Sequence, residues 1–129
     1  MRWLCFAIVP CFFTAGCHSA LDEAMSSYED GRYPSAAAEF RAAEPAARTL
    51  GPHDFATYAL YRGLTHLALG DARATAYWLG YAKQAADRDP ASFNDRDRGE
   101  LLAAWRSMGH MPGEPRSVTS DAPSARAAR

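Results

Sequence analysis

Beyond residue 17 the chain has no cysteine: Cys5, Cys11 and Cys17 all lie at its start. That excludes a disulfide framework and thiolate metal sites from the rest of the sequence. Long hydrophobic runs are also missing. Trp3 to Phe13 has eleven residues, which at ~1.5 Å per residue cannot cross a hydrocarbon layer of ~30 Å. Lysine is nearly absent, since thirteen of the fourteen basic residues are arginine; together with abundant alanine, this reads first as the codon bias of a GC-rich genome. Without residues 1 to 16 the chain keeps 13 basic and 15 acidic side chains, so no basic field exists for nucleic acid.

Chemical motifs are equally scarce. His18, His53, His66 and His110 fall on different elements, with no His-x-x-x-His or paired-cysteine spacing, so no metal is expected. No lysine follows a glycine as a phosphate loop requires, and no serine has the strand before it that a nucleophile elbow needs. The run Asp95-Arg96-Asp97-Arg98 reads as a solvated face, its acids favoured by the helix dipole. The expectation is a protein that is not an enzyme and uses no cofactor.

What is present begins at the N-terminus. A positive start (the α-amino group and Arg2), a short apolar segment and then Thr14-Ala15-Gly16-Cys17 make a secretory signal, which is set aside when reasoning about fold. The Ala-Gly-Cys end resembles the lipobox of bacterial lipoproteins, with Thr14 where that family usually has leucine. The resemblance implies cleavage after residue 16 and lipidation of Cys17. Two or three acyl chains on that cysteine would anchor the protein stably, because each buried methylene contributes ~0.8 kcal/mol. His18 stands where aspartate would retain an enteric lipoprotein at the inner membrane, so the resemblance points to the outer membrane, facing the periplasm.

Gly31, Gly70 and Gly109 are spaced by 39 residues, and each follows an amphipathic helical stretch. The stripes are Leu21, Ala24, Met25 and Tyr28; then Leu60, Gly63, Leu64 and Leu67; then Leu101, Leu102, Trp105 and Met108. Each glycine suits the left-handed turn that closes a helix. Second stripes follow the first two turns: Ala36, Phe40, Ala43 and Ala47, with Pro34 in the first turn, and Ala74, Trp78, Ala82 and Ala85, stopped before Pro90. Ser92 and Asp95 offer a capping box for the last helix. Fixed-period similarity marks stacked repeats, and no strand-like alternation follows residue 17. The organisation is therefore all-α with about five helices. Residues 1–16 are the signal, 17–20 a short linker, 21–110 the helical domain and 111–129 a tail without apolar periodicity, expected to be disordered.

Gly31-Arg32-Tyr33 with Ala36, Phe40 and Ala43, and Gly63 with Leu69-Gly70-Asp71 and Ala82, resemble the tetratricopeptide repeat family. The likeness implies antiparallel helix hairpins stacked side by side, with small residues letting the two helices of a hairpin approach and large ones filling between hairpins. Arg62, His66 and Thr75 depart from the family's usual residues, and the period exceeds the family's. The last helix is expected to cap the array, with Trp105 over its open end.

One constellation suits recognition. Tyr58, Arg62 and His66 are spaced four apart and share a helical face distinct from the leucine stripe. An aromatic ring, a planar cation and an imidazole in a row fit a peptide backbone or a carboxylate, so these three line the expected groove. The expected function is an envelope adaptor that holds a protein partner, with a second copy of the chain as a further partner. The alternative is a binder of a small molecule or cell-wall fragment, using the same concavity as a pocket.

Overall fold

The computed structural model describes residues 16–109. The expected signal segment up to Ala15, His110 and the expected tail lie outside the described residues. Five α-helices follow in order, α1 Gly16–Glu29, α2 Tyr33–Ala47, α3 Pro52–Ala68, α4 Ala72–Arg88 and α5 Asp95–Met108, with a 3-10 turn at Pro90–Ser92 before the last. The described residues contain no strand, and no helix among them is long and apolar enough to cross a membrane. Residues 17–20, expected as a linker, are instead helical, since α1 begins at Gly16.

The 39-residue period is visible in the turns. Gly31 and Gly70 have φ of 74° and 75°, the left-handed conformation that glycine adopts without steric cost. The hydrogen bonds repeat as well. Arg32 N donates to Ser27 O at 2.9 Å, and 39 residues later Asp71 N donates to His66 O at 3.0 Å, the six-to-one bond of a Schellman end. Gly109 breaks the pattern. Its φ is −60°, an ordinary helical value, so the expected left-handed turn is not formed there.

α1 packs on α2 and α3 on α4 as two hairpins, with α2 and α1 also against α3, while α5 lies against both α3 and α4. The packing is that of a repeat-like array, with no close backbone approach between α2 and α4. The stripes supply the core. Leu21, Ala24, Ala36, Phe40, Ala43, Ala47, Leu60, Leu64, Trp78, Leu79, Ala82 and Leu101 are all buried. Burial of such side chains contributes roughly 25 cal/mol per Å² of apolar surface, and neither hairpin could bury both its faces alone.

Gly63 sets the closeness of the second hairpin: a Cβ there would lie 2.6 Å from Leu79 Cδ2 and 3.0 Å from Leu79 N. The inner face of α5 is made by Leu101 and Ala104, which are buried, whereas Trp105 is 39% exposed. The capping residue of α5 is Asn94, whose side chain accepts from Asp97 N at 2.8 Å. Ser92 sits instead in the 3-10 turn and donates to Ala85 O at 3.4 Å. Asp97 likewise departs from the solvated face expected of it. It is buried, accepts from Tyr61 Oη at 2.9 Å and Asn94 Nδ2 at 2.9 Å, and so ties α5 to α3.

Candidate functional site

Tyr58, Arg62 and His66 do share one face of α3, but that face meets α2 and α4 rather than solvent. Tyr58 is 0% exposed and Arg62 7%. The expected open groove over these two residues is therefore closed, because the second helices of both hairpins cover it. Tyr58 Oη donates to Phe40 O at 2.9 Å and accepts from Arg62 Nη1. The same Nη1 reaches Glu44 Oε2 at 2.8 Å. Arg62 Cζ lies 4.0 Å from the centre of the Trp78 ring, a cation–π contact strengthened by desolvation. Arg62 is thereby joined to α2 through Glu44 and to α4 through Trp78. Its Nε is buried with no hydrogen-bond partner.

The electrostatics follow from these contacts. Hydrogen bonds from Arg48, at 2.7 Å, and from Arg62 hold the Glu44 carboxyl below the usual carboxylate range. Burial pushes the Tyr58 hydroxyl up, against the opposing pull of Arg62, so it stays protonated and can serve both neighbours. His66 stands apart from this lock. Its Nδ1 is 3.7 Å from Asp71 Oδ2, and burial lowers its pKa, helped by Arg62 and Arg41 and opposed by Asp71. Arg62 and His66 are each set against a carboxylate, but not the same one. A buried guanidinium, a tyrosine that keeps its proton and an imidazole turned to a helix cap form a packing device that fixes three helices.

Surface chemistry lies one helix away. On α4, Tyr77 is 57% and Tyr81 43% exposed. Tyr77 packs edge-on against Trp78 with ring centres 5.0 Å apart, and against Tyr81 at 5.3 Å. Phe55 meets Tyr81 at 6.0 Å and Tyr58 at 5.8 Å, so an aromatic series runs from the core to the surface. Beside it is an open depression of about 440 Å³ lined by Asp71, Arg73, Ala74, Tyr77 and Trp78.

The sequence contained a signal for this surface: Tyr77 and Tyr81 are four apart and flank the Ala74, Trp78, Ala82 stripe, two aromatics at the edge of the apolar face. Glu44 carried a weaker one, an acid four residues before Arg48, with no sign of its reach to Arg62. Among the described residues no three histidine, cysteine or acidic side chains gather as a metal site would need. No family model matches the chain, and neither does any curated protein or solved structure.

Proposed function

We propose that the protein is a lipid-anchored adaptor of the bacterial cell envelope, fixed through Cys17 to the outer membrane, that presents its helical array to a protein partner in the periplasm. The signal-like start and the Ala-Gly-Cys ending support the anchor. Confinement to a surface raises the effective concentration near membrane-bound partners. The observation that carries the binding role is the outward pair Tyr77 and Tyr81 beside an open depression, on an array whose interior aromatics and charges are engaged with one another. Tyrosine is favoured at interfaces because it buries a large rigid area at small entropic cost and keeps a polar tip.

An open depression suits a protein surface better than a small ligand, which is ordinarily buried over most of its area. The adaptor reading is therefore preferred to that of a binder of a small molecule or cell-wall fragment.

Metabolic labelling with a fatty-acid precursor tests the anchor. Wild-type protein is expected to take up label and sediment with membranes, and Cys17→Ala to do neither; equal labelling of the variant removes the anchor. Crosslinking in intact cells tests the adaptor role, which fails if the folded protein attaches to no envelope protein from any position on its surface.

A further inference from the structure

α2 and α4 both lie against α3, and the open depression lined by Asp71, Arg73, Ala74, Tyr77 and Trp78 forms a trough along α4. Trp78 at its edge covers the buried Arg62. On the α2 side, Arg41, Glu44 and Arg48 fall at helical spacing on one face. Glu44 fixes that face toward Arg62, which stacks on Trp78, and Arg41 and Arg48 lie about one turn to either side of Glu44. On the α4 side stand Arg73, Tyr77 and, one turn on, Tyr81.

Among the described residues the charges here are not balanced. Both acids of the trough are engaged. Glu44 is held by Arg48 and Arg62, while Asp71 caps α4 through Ala74 N at 3.0 Å and faces His66 with its other oxygen. Arg41 and Arg73 have no carboxylate within ion-pair distance among the described residues. A chain whose net charge is −1 thus places two arginines without an ion pair among the described residues near exposed aromatic rings.

We infer that the trough along α4, with the neighbouring charged face of α2, docks an acidic peptide segment of a protein partner, its carboxylates on Arg41 and Arg73 and its apolar side chains on Tyr77 and Tyr81. The inference rests on the adaptor reading and adds to it the surface and the chemistry of the partner. Arginine binds carboxylates through paired N–H groups, and tyrosine beside arginine is the composition that concentrates binding energy at interfaces. A neutral or basic segment would leave both guanidinium groups without a counter-charge or bring like charges together. The open shape favours an extended segment.

The full chain in detergent micelles is to be screened against a random twelve-residue peptide library displayed on phage. Recovered peptides are expected to be enriched in aspartate and glutamate, together with aromatic or aliphatic residues. They should bind an Arg41→Glu, Arg73→Glu double variant at least tenfold more weakly and lose affinity on Tyr77→Ser. These side chains are exposed, so far-UV dichroism and the melting temperature should match the wild type; if the double variant unfolds, the single Arg73→Glu replaces it. No enrichment, neutral or basic sequences, or affinities indifferent to the variants would overturn the inference, as would preferential binding of N-acetylglucosamine oligomers in the same trough.

A photoreactive residue at position 77 or at position 102 on α5 separates the two levels in cells. Attachment to a protein from 77 that is lost in Arg73→Glu supports the trough. Attachment from 102 alone overturns the trough and keeps the adaptor, and attachment from no surface position overturns both.

Discussion

Gly63 is the residue on which the second hairpin depends most directly. A methyl group there would meet both the side chain and the backbone nitrogen of Leu79, so α3 and α4 must part to admit it. Gly63→Ala is expected to lose about 1–3 kcal/mol although alanine is the better helix former, and urea unfolding measures it; a stability gain would mean the contact is looser than described. The Glu44 carboxyl makes a second expectation, this time of pH. Its pKa is depressed by Arg48 and then Arg62, so its stabilisation is fully present above the unfolded value of 4.5 and is lost as pH falls through the lower folded value. Urea midpoints between pH 6 and pH 3 should fall less steeply in Glu44→Gln. His66 acts in a separate window. Its lowered pKa means the unfolded chain takes up a proton first just below pH 6.5, and stability declines there as pH falls. At this scale, apolar positions were legible and polar ones were not. Phe40, Ala43 and Ala82 are buried as their periodicity requires, but Arg62 and Asp97 find their acceptor and donor 18 and 36 residues away, a pairing that no local pattern encodes.

Among the helices, starts and stops were legible where a special backbone conformation was needed. Gly31 and Gly70 close α1 and α3 with positive φ, and only glycine does that cheaply. Caps were less so, because several polar residues compete for one position. Ser92 and Asn94 both precede α5, and the 3-10 turn at Pro90–Ser92 hands the capping role to Asn94. Asn94→Ala removes the acceptor of the Asp97 N–H and the donor to Asp97 Oδ2. It should cost about 1–2 kcal/mol, while Ser92→Ala, losing one long bond to Ala85 O, should change the melting temperature far less. The two variants compared by thermal unfolding discriminate the assignments; the reverse order would restore Ser92 as the cap. The face shared by Tyr58, Arg62 and His66 was also legible as a face, whereas its direction was not, since that depends on where α2 and α4 lie.

For the molecule as a whole, a linear array has ends that can open independently of its middle. α5 is held by Leu101, Ala104 and the bond from Tyr61 to Asp97, with Arg96 to Glu29 at 3.3 Å as an exposed ion pair to α1. Asp97→Ala strands the buried Tyr61 hydroxyl, at a cost of about 1–3 kcal/mol. Hydrogen exchange should then quicken in α5 well before α3 and α4, and uniform quickening would show that the array unfolds as one unit. One last consequence concerns reach. The helical backbone begins at Gly16 and runs without a break through Cys17 to Glu29, a rod of roughly 20 Å at ~1.5 Å per residue. Leu21, about one helical turn beyond Cys17, is already buried in the core, so a fatty chain on Cys17 would hold the body close and not on a leash: it could glide and tilt along the bilayer but could not cast outward.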